Sequence, residues 1–292
     1  MKAIRIHSYG DASVLRLDDI PVPVPAAGQV LVKVAGTSFN PSEVGLRNGW
    51  LRGVFELALP YTPGWDLAGT VVHGAGNLAA GQAVVGRVDG GAAAEYAVAD
   101  PALLVPAPVS VPLAHAAALP VAGVTAWQAL FEHTGRDLRG AELFVNGAGG
   151  GIGGFAVQLG RRAGARVTAT ASARSADTVR RFGAAAVHDY SLGLPDARFD
   201  VVLNLVPTGD DLAALVRPGG VLVSVTNPFP APAVHFVVRN RPADLAQLVA
   251  LVDGGALDLD IAGVRGLAEL PAVHLEAEAG TLRGKTIVTP GG

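Results

Sequence analysis

The chain of 292 residues is half hydrophobic yet carries only nine Phe, three Trp and four Tyr, so its apolar content is mainly Ala, Val and Leu. That is enough for a large aliphatic core and for two domains. A net charge of −3 with 16% charged residues excludes a disordered solvating chain and gives no electrostatic footprint for nucleic acid. Cysteine is absent, which removes disulfides, thiolate metal sites, iron–sulfur clusters and a cysteine nucleophile, and fits a reducing cytoplasm.

The first residues hold no apolar run of secretory-signal length, so a cytoplasmic protein without a membrane partner is expected. Three long uncharged stretches are read as soluble core and loops, because 101–131 holds five prolines, 143–160 seven glycines and 218–238 four prolines. Lys2, Lys33 and Lys285 are the only lysines against 19 arginines, a compositional bias from which no function is drawn.

In chain order, short strands are predicted at 3–7, 14–17, 30–35, 69–73, 83–88 and 95–99, separated by Gly- and Pro-rich turns. This pattern suggests a small, irregular β-barrel or sandwich. From Ala114 strands alternate with helices: strands at 143–146, 166–170, 185–188, 201–205, 220–225 and 233–238, and helices at 151–163, 176–182 and 210–216. Six strands with helical crossovers match a doubly wound parallel sheet. The remainder gives a helix at 244–252, a short segment at 257–264 and a last strand at 285–289, too short for a domain of its own.

The strongest motif is Leu143-Phe-Val-Asn-Gly-Ala-Gly-Gly-Gly-Ile-Gly-Gly154, where a strand runs through a glycine cluster into an apolar helix that continues with Phe155-Ala-Val-Gln158. Gly149, Gly151 and Gly154 satisfy GxGxxG in that context. The chemistry requires a tight turn, backbone close to a pyrophosphate and helix N–H groups aimed at negative charge. Ala148, Gly149, Gly150, Gly151 and Ile152 are therefore cofactor-loop candidates, with Thr170 ending the next strand. There an acid would hold the ribose of NAD, but Thr170-Ala-Ser-Ala-Arg-Ser175 has none. Ser172 and Arg174 suit a 2′-phosphate, and one charge-assisted bond of about 1.5–3 kcal/mol gives roughly ten- to hundredfold discrimination. NADPH is the expected cofactor.

The glycine loop, the segment 116–130, Asn40-Pro-Ser-Glu43, Pro63-Gly-Trp-Asp-Leu-Ala-Gly69 and Arg283-Gly-Lys-Thr-Ile-Val288 together resemble the zinc-free quinone oxidoreductase branch of the medium-chain dehydrogenase/reductase superfamily, nearly end to end. The resemblance implies an α/β protein: a GroES-like β-rich catalytic domain (1–113), a Rossmann domain (114–240) and a C-terminal return to the first domain (241–292). The cofactor would lie in the cleft between them. It also implies hydride transfer from NADPH to a quinone or to the C=C bond of an α,β-unsaturated carbonyl compound. No metal is expected, since Gly64 is followed by Trp65 and Asp66 in place of the Gly-His-Glu element of zinc-dependent relatives, and the seven histidines lack ligand spacing.

Residue by residue, the resemblance places Asn40 against a substrate carbonyl, Thr125 near the nicotinamide and Tyr190 near the adenosine phosphate. The family lysine after the second strand is Ser175 here, beside Arg174, and a tyrosine of the quinone pocket falls at Gly45. Trp50, Tyr61 and Trp65 are aromatic candidates for the pocket, with solvent or Tyr61 as the proton donor. Either Glu43 or Asp66 is expected to pair with Arg47 in a structural salt bridge. Two alternatives stay open: a non-catalytic NADPH-binding sensor or structural protein, and a tailoring enoyl reductase of a biosynthetic pathway. The apolar stretch 231–238 would form an edge strand and, as in the family, support a homodimer.

Overall fold

The structure, a computed structural model, describes every residue except Phe55, Ala231, Pro232 and Gly292. The chain divides into two compact units: Met1–Val121 with Asn240–Gly292, and Ala122–Arg239.

The first unit begins with β1 (Lys2–Ile6), β2 (Leu15–Asp19) and β3 (Val30–Ser38), followed by a short helix α1 (Ser42–Asn48). It continues through β4 (Asp66–His73), β5 (Ala83–Arg87), β6 (Tyr96–Ala99) and β7 (Leu104–Pro106). The second unit holds α2 (Val124–Phe131), β8 (Glu142–Asn146), α3 (Gly151–Arg162), β9 (Arg166–Ala171), α4 (Ala176–Arg181) and β10 (Ala186–Asp189). Its last strands are β11 (Phe199–Asn204), β12 (Val216–Ser224) and β13 (Ala233–His235). The chain then returns to the first unit with α5 (Pro242–Asp253), β14 (Ile261–Gly266), α6 (Leu270–Glu278) and β15 (Lys285–Thr289).

In the first unit a seven-stranded sheet runs β14-β15-β3-β4-β5-β7, with β6 also paired to β3 and with β1–β2 as a separate ribbon. Alternation of buried Val30, Val32 and Val34 with outward residues along β3 gives this sheet one core face, shared with Leu67, Val71 and Val84. Gly36 is required where the 3-10 segment Leu113–Ala118 crosses β3, since a Cβ there would stand 2.9 Å from the Ala114 carbonyl oxygen. The tail strand β15 pairs antiparallel with the end of β3, Ile287 opposite Ser38 and Val288 opposite Thr37. That register brings the tail to the segment Ser38–Asn40.

The second unit is a parallel sheet in the order β10-β9-β8-β11-β12-β13, the doubly wound order with its crossovers reversing between β8 and β11. The central strands are near-continuous apolar runs; Leu143, Phe144, Val145, Val201, Val202 and Leu203 are all buried. The expected helix at 210–216 is only a 3-10 turn, Leu212–Leu215, and β12 starts at Val216 in its place. The edge strand expected over 231–238 reduces to Ala233–His235, and the first two residues of that stretch lie outside the described residues. Among the described residues one helical run, Leu113–Phe131, is long and apolar enough to cross a membrane, and 72% of its apolar window is buried inside the protein. Pro120 sits in it within a π turn, Leu119–Gly123, so this proline is accommodated by a wider turn and does not end the run.

Candidate active site

In the second unit the chain leaves β8 through a turn at Gly147, whose φ of +93° only glycine adopts without strain. The turn is fastened to the next strand: the Gly147 N–H donates to Thr170 Oγ1 at 2.8 Å, and the Thr170 hydroxyl donates to Asn146 Oδ1 at 2.9 Å. The Ala148 N–H also donates to the Thr170 carbonyl at 3.0 Å. Thr170, 3% exposed, thus acts on the loop and not on its outer surface.

A spatial demand for glycine falls on Gly149 of the motif and on Gly153, which is not one of its glycines. A Cβ at Gly149 would lie 2.3 Å from Ser175 Oγ, and one at Gly153 would lie 2.4 Å from Ala148 Cα and the Gly147 carbonyl oxygen. At Gly150, exposed at the N-cap of α3, a Cβ would meet nothing closer than 3.6 Å. No side chain caps α3, so its first-turn N–H groups and positive dipole end face outward from the loop. Gly151 and Ile152, half-buried, form that first turn, while Ala148 is buried behind it. An uncapped helix start with a bare glycine at its mouth fits a pyrophosphate.

At the carboxyl ends of β9 and β10 a cavity of about 330 Å³ is lined by Ser172, Asp177, Arg180, Val187 and Asp189, among others. Ser172 is in its wall. Arg174 is exposed and outside it, and the cation in the wall is Arg180, held by Asp177 at 2.8 Å. Tyr190 is 59% exposed just beyond β10, and Thr125 is buried on the first turn of α2.

In the first unit the structure assembles a buried polar cluster from four separate parts of the sequence. Pro63 and Gly64 make a turn, with Gly64 at φ +93°, where a Cβ would stand 2.5 Å from the Ala93 backbone nitrogen, and deliver Asp66 to the start of β4. Asp66, fully buried, accepts from the Val121 N–H at 2.7 Å, from Asn40 Nδ2 at 2.8 Å and from the Ser38 hydroxyl. Lys285, 3% exposed, donates from Nζ to Asn40 Oδ1 at 2.9 Å and to the Phe39 carbonyl at 3.0 Å, with Asp66 Oδ2 at 3.7 Å. Asn40 Nδ2 has two longer contacts, 3.3 Å to the Ser38 carbonyl and 3.4 Å to Glu43 Oε1.

Glu43 is 2% exposed, and burial together with the neighbouring Asp66 charge pushes its carboxyl up to about 8. It therefore carries its proton at neutral pH. Burial pushes Lys285 below the ordinary lysine value, while Asp66 and Glu43 pull it the other way. Neither Glu43 nor Asp66 forms an ion pair with Arg47: both carboxyls turn inward to Asn40, and Arg47 Nη2 meets Glu278 Oε1 on α6 at 2.5 Å.

Among the aromatic candidates, Trp50 is 83% exposed and Trp65 is half-buried with the Arg87 guanidinium 6.0 Å from its ring. Tyr61 donates its hydroxyl to the Asp89 carbonyl at 2.6 Å, and burial pushes it up to about 12. That engagement and that shift both oppose a proton-donor role for Tyr61. The structure thus joins Asn40 to Asp66, Glu43 and Lys285, and Thr170 to Gly147. Lys285 escaped sequence reasoning, since a lysine heading the apolar strand Thr286-Ile-Val288 looks locally like a solvent-facing strand end.

Comparison with known proteins agrees with this architecture. Residues 26–109 match the alcohol dehydrogenase GroES-like domain family, and residues 175–288 match the zinc-binding dehydrogenase family. A chloroplast envelope quinone oxidoreductase homolog of Arabidopsis thaliana is 42% identical over 201 residues, 65% of this chain and 61% of that protein. The chain thus spans about three fifths of that relative's length. An NADPH-dependent alkenal/one oxidoreductase of Arabidopsis thaliana is 30% identical over 314 residues, covering 99% of this chain and 80% of the relative. The solved quinone oxidoreductase of Coxiella burnetii superposes with a TM-score of 0.88 at 28% identity, over 99% of both chains. No group of three His, Asp or Glu side chains among the described residues is arranged to hold a metal.

Proposed function

The chain belongs to the medium-chain dehydrogenase/reductase superfamily, alongside its quinone oxidoreductases, and from that premise we propose that it is an NADPH-dependent, zinc-independent oxidoreductase. Its acceptor is a quinone or the C=C bond of an α,β-unsaturated carbonyl compound. The observation that carries the reading is the uncapped start of α3 behind the Gly147–Gly150 turn, a donor set suited to a dinucleotide pyrophosphate. When bound, NADPH supplies the hydride.

The residues of the chain bind and orient. Thr170 holds the glycine turn in shape, and the first-turn N–H groups of α3 neutralise the pyrophosphate. Ser172 and Arg174 discriminate for the 2′-phosphate, with Tyr190 beside the adenosine end and Thr125 toward the nicotinamide. Asn40 presents an amide N–H to the oxygen that gains negative charge as hydride reaches the β-carbon, a preorganised donor of the oxyanion-hole type. A conjugated acceptor is electrophilic already, so this donor replaces the Lewis acid that alcohol oxidation needs.

The experiment is a panel of enones and quinones with NADPH and NADH. Consumption of NADPH with at least a roughly tenfold preference over NADH supports the reading, and Ser172→Ala with Arg174→Ala should erase the preference. Equal use of both cofactors would remove the Ser172 and Arg174 argument, and binding without turnover on any acceptor would favour a non-catalytic dinucleotide-binding protein. The edge strand β13 supports a homodimer as the working assembly, and the cysteine-free composition supports a cytoplasmic setting. A monomer in size exclusion at micromolar concentration contradicts the dimer.

A further inference from the structure

Asn40 can serve as a donor only if its carboxamide faces the right way, and an isolated amide flips at little cost because its two ends are nearly the same size. Here the two ends meet opposite partners. Lys285 is a pure donor and Asp66, when ionised, a pure acceptor. Oδ1 lies 2.9 Å from Lys285 Nζ, and Nδ2 lies 2.8 Å from Asp66 Oδ2. Turning the amide over would set an NH2 group against an ammonium and a carbonyl against a carboxylate, both at zero or near-zero exposure, where such a mismatch is most costly.

We infer that Lys285, brought to the site by the tail strand β15, is a positioning residue that fixes the direction of the Asn40 carboxamide. The inference rests on the proposed reductase reading for its consequence, and on the geometry for its existence. Asp66 takes one N–H of Asn40; the other has only the contacts at 3.3 and 3.4 Å, too long to hold it firmly. That second N–H is the donor left for a substrate oxygen, and Lys285 ensures that it is an N–H and not the carbonyl. The register of β15 against β3 makes the arrangement possible, since Ile287 opposite Ser38 sets Lys285 beside Phe39 and Asn40. Val121 and Ser38 hold the Asp66 carboxylate from its other sides, so the clamp is rigid before any ligand arrives.

The test uses Asn40→Ala, Lys285→Met and their double variant as full-length protein, with NADPH and but-3-en-2-one or 1,4-benzoquinone as probes. Each single variant should lose about a hundredfold in kcat, the effect of one oxyanion donor, with the KM for NADPH within about twofold. The double variant should lose no more than either single. Losses that multiply in the double variant would overturn the inference, because Lys285 would then act without Asn40. A second readout does not depend on turnover: the Asn40 side-chain amide resonances, identified by their disappearance in Asn40→Ala, should shift in Lys285→Met, and unchanged resonances would also overturn it. Should Lys285→Met leave Asp66 too poorly compensated to fold, Lys285→Met combined with Asp66→Asn removes both charges and carries the same two readouts when compared with Asp66→Asn alone. Wild-type protein that turns over no acceptor refutes the reductase reading, while the amide resonances still decide on Lys285.

Discussion

Thr170 receives the Gly147 N–H on its hydroxyl oxygen at 2.8 Å, a bond that ties the exit of β8 to the end of β9 across 23 residues of sequence. The N–H belongs to a turn that no helix or strand ladder satisfies, and leaving it unmet costs about 1–3 kcal/mol. Thr170→Val keeps the shape and removes both the acceptor and the bond to Asn146. The expected outcome is a dinucleotide affinity weaker by roughly tenfold, with a lowered Tm, followed by NADPH fluorescence titration and thermal unfolding. Unchanged affinity would mean that the loop holds its form without Thr170.

The glycines of the loop separate into two kinds that mutation can tell apart. A methyl at Gly153 would overlap backbone atoms at 2.4 Å, which cannot yield, so Gly153→Ala should destabilise the second unit by about 1–3 kcal/mol. Gly150→Ala meets only an ordinary contact at 3.6 Å and should leave Tm unchanged, yet weaken dinucleotide binding because the methyl stands at the mouth of α3. Paired denaturation and binding measurements check this; loss of stability in Gly150→Ala would contradict it.

How far the sequence discloses this molecule depends on the range of the interactions. The parallel sheet is legible because each strand is an apolar run bounded by turn residues, and the pattern locates β15 at Lys285–Thr289 with both ends correct. Helix α1 is not, since seven residues after Asn40-Pro41 look like a turn, and the pattern enters β4 three residues late because Asp66 and Gly69 weaken its apolar run. GxGxxG locates the loop and includes Gly149, which Ser175 crowds, but it passes over Gly153, which is crowded by Ala148 and the Gly147 carbonyl. The clamp on Asn40 is hidden most deeply. Lys285 lies 245 positions from Asn40, and little in its local sequence separates it from a solvent-facing lysine at a strand end.

Glu43 gives the stability of the protein an alkaline limb. Its carboxyl sits at about 8 in the folded protein against 4.5 when free, so between those values the unfolded chain has released the proton and the folded chain keeps it. Stability from this group is complete below 4.5 and declines as pH rises toward 8, with a limiting slope of about 1.4 kcal/mol per pH unit. Glu43→Gln keeps an amide in place of the neutral acid and should flatten the decline in urea midpoints between about pH 6.5 and 8. A variant with the wild-type slope would show that another group is responsible.

His274 supplies the opposite limb. Its ring is fully buried, edge-on to Phe39 at 4.9 Å, and burial together with the Arg47 charge pushes it down to about 3. Among the described residues no group hydrogen-bonds either ring nitrogen. As pH falls from 6.5 the unfolded chain takes up a proton that the folded chain refuses, so this contribution is complete above 6.5 and is lost toward 3. Between 4.5 and 6.5 the two groups oppose each other with equal limiting slopes, and wild-type stability should be level with respect to them. His274→Leu removes one limb and two unmet buried nitrogens, so it should be at least as stable as wild type at about pH 7. Its urea midpoint should then fall steadily from pH 4.5 upward, exposing the Glu43 slope where the wild type is flat. A level profile retained in His274→Leu would refute the compensation.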